Sequence, residues 1–376
     1  MSNRRWLIIT ALIFSIASLS AVAVVQGKKI FSRKAIEASP TTQRTPSSQE
    51  TQNRGDITLA AVGDIMLGST WPDASGLPPN DGADLLSEVA PILEAADLTF
   101  GNLEGPMIDG GTSAKCPPGK ANCYAFRVPT RYGKYLKEAG FDVMSLANNH
   151  ALDFGFEGRA SSKRVLDSLG IGHSGEVGDI ARLTVKGKRI AVIAFATYGN
   201  SYNLNNLETA KRVVSDLVAK NDLVIVSFHG GAEGASRQRV PRGIEVFFGE
   251  NRGDLRKFTH AMIDIGADLI IGHGPHVIRG MEVYKDRLIA YSLGNFATYG
   301  RFNLTGPLGL ALILEVKLAP DGKFLGGTLH PAIQVKPGGP RLDPDGTVIP
   351  VVRELSEFDF GESAVRVSDD GKISPP

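Results

Sequence analysis

The sequence predicts an α/β fold, and three observations carry that prediction. Strand-like and helix-like segments alternate along most of the chain. Several of the strand-like segments, such as ITLAAVGDIML, DLVIVSFHGG and ADLIIGHGPHV, are short continuous apolar runs, as expected for strands buried on both faces. Periodic segments such as RYGKYLKEAG and FEGRASSKRVLDSLG close on glycine, a common helix terminator.

Taken in order, the folded part begins at Asp56. ITLAAVGDIML reads as a strand that ends at Gly63-Asp64. ADLLSEVAPILEAA has helical periodicity, and DLTFGNLEG is a strand with a polar end. RYGKYLKEAG is a helix, FDVMSLANNH a strand and FEGRASSKRVLDSLG a helix. KRIAVIAFATY, DLVIVSFHGG and ADLIIGHGPHV are strands, separated by the helices ETAKRVVSDLVAK and GDLRKFTHAMIDIG. RLIAYSLGNF and GLALILEVKL are further strands. GLALILEVKL is expected to pair with the segment around TLHPAIQVK through Pro320-Asp321-Gly322. After Lys336 the chain turns loop-rich, and VIPVVREL reads as a strand before a polar tail that either packs on the core or hangs free. The expected organisation is a leader at 1–29, a linker at 30–55, a domain at 56–336 and a C-terminal extension at 337–376.

The leader bears on compartment. Arg4 and Arg5 precede a largely apolar, uncharged run from Trp6 to Val25 that no polar face breaks, and Lys28 and Lys29 follow it. Such a run, at about 1.5 Å per residue, spans roughly 30 Å, one hydrocarbon core. It reads either as a cleaved signal peptide with Ala21-Val22-Ala23 as the small-residue site, or as an uncleaved anchor with the arginines on the cytoplasmic side. Its length favours the anchor. Either way the domain is expected outside the cytoplasm, on the cell membrane or as a periplasmic or secreted protein. The segment SPTTQRTPSSQETQNRG carries almost no large apolar residue and reads as a disordered tether. An oxidising compartment favours a disulfide between Cys116 and Cys123, stiffening a surface loop, over metal binding, for which two cysteines seven apart with no nearby histidine make a weak site.

With 376 residues, 42% hydrophobic, the chain can bury a substantial core. Its 41 basic and 40 acidic residues leave a net charge of +1, so a general nucleic-acid binder is not indicated.

Function is suggested by what stands where strands end. Asp64, then Asn102 and Glu104, then Asn148, Asn149 and His150, then His229, then His273 and His276, and finally Asn295 each follow a strand-like run. In α/β sheets, ligands bind beyond the carboxyl ends of strands, so these residues are expected to converge. Alone, Asp64 reads equally well as a turn residue, and so do Asn102 and Glu104. One histidine beside glycines is unremarkable. Repetition at successive strand ends is what a purely structural reading does not supply. Carboxylates, amides and imidazoles together suit Zn, Mn, Fe or Mg better than soft metals. Two such ions sharing a carboxylate can activate water for attack on phosphorus.

GDIMLG, GNLEGP, SLANNHALDFG, FHGGAE, GHGPHVIRGMEVYKDR and YSLGNF, in that order, resemble the CapA family of capsule and poly-gamma-glutamate biosynthesis proteins. That family's domain belongs to the calcineurin-like metallophosphatase superfamily. The resemblance covers about Ile57 to Phe302. It implies a four-layer α/β/β/α sandwich with a site for two divalent metals at the strand ends. It also implies a membrane-anchored, outward-facing protein that works with an anionic envelope polymer, notably poly-gamma-glutamate, and with synthase or transporter proteins. By position, Asp64 resembles the first metal-binding aspartate, and Glu104 stands where the bridging carboxylate would be. Asn149 resembles the metal-binding asparagine, and His150 the histidine that polarises or protonates substrate. His229 resembles the isolated metal histidine, and His273 and His276 occupy the last motif. Asn102, Glu233 and Asn295 stand where substrate or supporting contacts are expected.

Three departures matter. Met66 replaces the histidine of the usual Asp-any-His, which weakens one metal site. The last histidines are three apart instead of two, which leaves open whether His273 or His276 is the ligand. Gly230 replaces a tryptophan that often follows the fourth-motif histidine, while Glu233 is kept. Three functions stay open on the sequence: a CapA-like role in polymer synthesis or export, a metal-dependent phosphoesterase on a small or lipid-linked substrate, and a non-catalytic scaffold of a synthase complex.

Overall fold

In the first strand, β1 (Ile57–Met66), every residue except Thr58 is buried. The computed structural model to which this strand belongs describes residues 55–117 and 123–376. The expected leader at 1–29, nearly all of the linker at 30–55, and positions 118–122 lie outside the described residues. Among the described residues, no helix is long and apolar enough to cross a membrane.

After β1 come α1 (Ala90–Glu94), β2 (Leu98–Leu103), α2 (Gly133–Glu138), β3 (Val143–Ser145), α3 (Gly155–Ser168) and β4 (Gly172–Ser174). Next are β5 (Ala181–Val185), β6 (Lys188–Ala196), β7 (Tyr202–Asn203), α4 (Leu207–Val218), β8 (Leu223–His229), β9 (Glu245–Phe247), β10 (Glu250–Gly253) and α5 (Leu255–Ile265). Then follow β11 (Leu269–His273), β12 (Met281–Tyr284), β13 (Arg287–Ala290), β14 (Asn295–Thr298), β15 (Leu310–Leu318) and β16 (Phe324–Gln334). The chain closes with β17 (Pro340–Leu342), α6 (Val348–Phe360), β18 (Arg366–Val367) and β19 (Lys372–Ser374).

Apart from the two-stranded antiparallel pair β9–β10, the described strands form two mixed sheets. One runs β18-β19-β16-β15-β1-β2-β3-β4, with β14 on β1 and β17 on β16; the other runs β12-β13-β11-β8-β6-β5, with β7 on β6. Alternation along β1 shows how they stack. Ile57, Leu59 and Ala61 join one apolar cluster with Ile190 and Val192 of β6, Ile225 of β8 and Ile271 of β11, so the two sheets face each other there. Ala60 and Val62 point the other way, into a cluster with Leu93 of α1, Leu136 of α2 and Leu166 of α3. On the far side of the second sheet, Ile193, Val226 and Ile270 pack against Val214 of α4 and Met262 of α5. The result is the helix–sheet–sheet–helix layering the resemblance implied.

Local chemistry agrees with the elements. Asn206 and Asp254 cap α4 and α5 by accepting from the backbone of Thr209 and Lys257. Gly266 ends α5 in the left-handed region, with φ of 110°. The hairpin expected through Pro320-Asp321-Gly322 is present as the antiparallel pair β15–β16. One expectation fails: VIPVVREL is the start of α6, not a strand. Its valines and isoleucine favour strands in isolation. In the fold, Val348, Ile349, Val352, Ser356 and Phe360 line one buried helical face. β17 and β19 pair with β16, and Val348, Val352, Val365 and Ile373 enter the inter-sheet core, so the residues after Lys336 pack on the body of the protein.

One ion pair deep in the structure holds the loop that follows β8. The guanidinium of Arg279 is fully buried and donates to both oxygens of Glu245 at 2.8 Å. It also donates to the carbonyls of Arg237 (2.8 Å) and Ala232 (3.3 Å). Removing one partner of such a pair leaves a buried charge unmatched. Arg279→Met is expected to cost about 3–5 kcal/mol in urea unfolding, with much of it recovered when Glu245→Leu is added.

Candidate metal centre

Parallel pairing sets the strand-end residues side by side. Asp64 of β1 lies in register with Asn102 of β2 and with Asn295 of β14. In the second sheet, His229 of β8 lies beside His273 of β11. Gly63 lets this happen: a Cβ there would sit 2.1 Å from the Gly294 carbonyl oxygen.

Past β11 the chain bends through Gly274 and Pro275. Gly274 has φ of 116°, and a Cβ on it would meet the Gly230 carbonyl oxygen at 2.6 Å, so the loops after β8 and β11 press backbone to backbone. His276 then adopts φ of 59°, uncommon for a residue with a side chain. The bend brings its Nδ1 to 2.9 Å from Asp64 Oδ2 and its Nε2 to 3.6 Å from Glu104 Oε1.

These three residues form the centre. Ligand atoms of Asp64, Glu104 and His276 lie within 4.8 Å of one another. His229 Nε2 stands 4.0 Å from Glu104 Oε1. Asn102 donates to Asp64 Oδ1 at 2.8 Å and accepts from Asn148 at 3.1 Å, so it orients the aspartate. Asn295 Oδ1 lies 3.2 Å from His276 Nδ1, and its amide group donates to the Leu308 carbonyl. Glu233 lies 4.0 Å from His276 Nε2 and accepts from Arg252 at 2.6 Å. Of the paired histidines, His276 belongs to this cluster; His273 turns its Nε2 to the Val62 carbonyl at 3.0 Å. His150 is held by Asp153, Nδ1 to Oδ2 at 2.7 Å. Met66, where the resemblance wanted a histidine, is fully buried in the apolar layer between β1 and the helices.

The electrostatics are those of buried charge. Burial opposes ionisation of Asp64, but the hydrogen bond and charge of His276 outweigh it and hold the carboxyl at about 2. Burial pushes Glu104 well above the usual carboxylate range; His276 opposes this, and the charges of Asp64 and Glu233 add to it. Burial also works against a charge on His276, yet Glu104 and Asp64 raise it to about 10. His229 is driven well down by burial, and His150 and His273 are lowered for the same reason.

Among the described residues, both oxygens of Glu104, Oδ1 of Asn149, Nε2 of His229 and Nδ1 of His273 are buried without a hydrogen-bond partner. Buried polar atoms ordinarily find one. Carboxylate, amide and imidazole acceptors left open together fit a divalent cation of the hard or borderline kind.

Sequence reasoning missed several neighbours. Thr197 and Tyr198 follow β6 as the others follow their strands, and the same strand-end rule would have found them; the Tyr198 ring lies 6.2 Å from that of His229. Asp153 and Lys115 bear on His150 from loops. Arg252, buried beneath Tyr198 and paired with Glu233, has no local signal at all.

A family model described as bacterial capsule synthesis protein PGA_cap matches residues 58–299. The chain belongs to that family. Among relatives, it is 31% identical over 277 residues to the capsule biosynthesis protein CapA of Bacillus anthracis, covering 68% of this chain and 63% of that one. To the PGA biosynthesis protein CapA of Bacillus subtilis it is 29% identical over 261 residues, covering 64% and 63%. The chain thus spans under two thirds of the length of these relatives. Among solved structures, the NAD nucleotidase of Haemophilus influenzae aligns with a TM-score of 0.39 and 12% identity, over 77% of this chain and 54% of that one.

For this PGA_cap member the raised His276 dictates a pH dependence. Without a cation, His276 keeps its proton up to about pH 10. A cation held by His276 would need a ring nitrogen free, so its binding at neutral pH is expected to release a proton, with affinity rising by up to about tenfold per pH unit for each proton released. Calorimetric titration with Mn²⁺ in two buffers of different ionisation heat reads the proton release; an affinity that does not change from pH 6 to 9 contradicts it.

Proposed function

We propose that this chain is an outward-facing, membrane-tethered capsule-synthesis protein that works on an anionic envelope polymer of the poly-gamma-glutamate type through a divalent-metal centre. One observation carries the reading: Glu104, with both oxygens buried and unpartnered, lies between the Asp64–His276 pair and His229. A non-catalytic scaffold has no use for a buried carboxylate that its own fold leaves without donors. Family membership and the names of the Bacillus relatives support the polymer. The apolar run Trp6–Val25 supports the tether and the outward face.

Asp64, Glu104 and His276 would hold a divalent cation, with His229 and Asn149 as further donors beside them. The cation supplies Lewis acidity and a water of lowered pKa. The chain's own residues do the rest. Asn102 and Asn295 fix the orientation of Asp64 and His276. Asp153 accepts a hydrogen bond from Nδ1–H of His150, leaving Nε2 as the nitrogen that meets substrate and can carry a proton at a leaving oxygen. The tight packing around Glu104 keeps bulk water from screening these charges.

Metal content of the purified full chain, measured by mass spectrometry, tests the centre. Wild type is expected to retain divalent metal; Asp64→Asn is expected to lose most of it and His229→Ala a part of it. Polymer output of cells lacking their own copy tests the role: wild type restores it, and Asp64→Asn restores less than a tenth. Full output from Asp64→Asn/His150→Ala would leave a scaffold. Metal-dependent hydrolysis of small phosphoesters without any effect on polymer would leave a phosphoesterase.

A further inference from the structure

The Cys116–Cys123 disulfide is present, with Cα atoms 5.5 Å apart, and its two flanks both run to His150. On one flank, Lys115 immediately precedes Cys116. Its Nζ donates to Asp153 Oδ1 at 2.6 Å and to the Asn149 carbonyl at 3.2 Å. On the other flank, Phe126 lies shortly after Cys123. Its backbone N–H donates to Asp153 Oδ2 at 2.8 Å, and its ring lies 4.5 Å from the His150 ring, centroid to centroid. Asp153 is therefore held on one oxygen by the segment before the disulfide and on the other by the segment after it. That second oxygen also takes His150 Nδ1. Lys115 Nζ lies 3.3 Å from the same Nδ1, but the carboxylate at 2.7 Å is closer. The ring nitrogen donates to Asp153, and the ammonium is a neighbouring charge.

The bridge is itself built in. Cys116 is 4% exposed and packs with Trp71, Ala125 and Phe154. The Trp71 indole donates to the Cys116 carbonyl at 3.2 Å, and the Cys116 N–H donates to Ser113 Oγ at 3.1 Å. Phe126 stacks on Phe302 at 5.1 Å, and Phe302 lies 6.0 Å from the His276 ring, so the braced segment also touches the metal side of the site.

The geometry points to Lys115, Phe126 and the Cys116–Cys123 bridge as a positioning brace for the Asp153–His150 pair, complete only after the disulfide has formed. It rests on the proposed role of His150 at the site. A short closed loop removes much of the freedom that the two flanks would otherwise have relative to each other. With the bridge open, Lys115 and Phe126 are no longer tied to one another, and Asp153 can release the imidazole. Bridge formation passes two electrons and two protons from the two thiols to a disulfide oxidant, such as oxidised glutathione, which is reduced to two thiols. Such oxidants belong to oxidising compartments. The brace thus makes an ordered His150 a property of the protein after export.

The test reads which ring nitrogen of His150 carries the proton. Full-length chain in detergent with ¹⁵N-labelled histidine is compared by NMR in magnesium buffer, and the His150 signal is assigned by its absence in His150→Gln. In wild type the Nδ1 resonance is expected at the protonated position. In Cys116→Ala/Cys123→Ala and in Lys115→Met it is expected to move to the average between protonated and unprotonated nitrogen, and Lys115→Arg is expected to restore it. A His150 signal unchanged in Lys115→Met and in the double alanine variant overturns the brace. If the double variant does not fold, Lys115→Met decides alone. Metal per chain is measured on the same samples: a metal-free wild type removes the proposed centre, while the histidine comparison still stands or falls by itself.

Discussion

Burying the charge of Glu104 is the constraint around which the structure is organised. A carboxylate taken from water costs several kcal/mol unless it is matched. Among the described residues, Glu104 receives no hydrogen bond, and the nearest cationic group is His276 at 3.6 Å. Asp64 and Glu233 stand close enough to raise its pKa further. His276 answers part of this by holding a proton, and it reaches the centre only because its backbone accepts a left-handed conformation. The tight Gly274–Gly230 contact and the buried Arg279–Glu245 pair fix the loops that make the bend possible.

Neither sheet makes the centre alone. The first contributes Asp64, Asn102 and Glu104 from β1 and β2 and the loop of Asn149 and His150 after β3. The second contributes His229 at the end of β8 and His276 after β11. What joins them is the apolar layer between the sheets, where Leu59 and Phe100 meet Ile225 and Ile271. Parallel strands in each sheet end at the same level, so a packed core of ordinary aliphatic residues carries the alignment of distant polar ones.

Much of this was legible along the chain, because the order of strands and helices is written in periodicity and the site in a repeated local rule: a polar group where an apolar run stops. Where the rule was applied it pointed to Asp64, Glu104, His229 and His276, which the fold sets within a few ångströms of one another, and also to His273, whose Nε2 turns instead to the Val62 carbonyl. Where it was not applied, at Thr197 and Tyr198 after β6, it would have worked. It could not find Arg252, whose segment ENRG is no apolar run, nor Lys115, which lies in a loop. VIPVVREL misled because a short β-branched run fits a strand or a buried helix equally, and only packing against the core distinguishes them. The disulfide was foreseen as a stiffener of a surface loop; its flanks in fact hold Asp153.

By itself the sequence determined the α/β order, the family resemblance through six ordered motifs and the candidate donors, and it favoured a bond between the two cysteines. These follow from local composition and spacing, which the chain carries wherever it goes. Only the tertiary structure decided that His276 and not His273 meets Asp64, that Glu104 is left without a donor, and that Lys115 and Phe126 converge on Asp153. Each depends on distances between segments far apart in the chain, and those are set by sheet register, by the packing of one sheet on the other and by single backbone bends that no local pattern encodes.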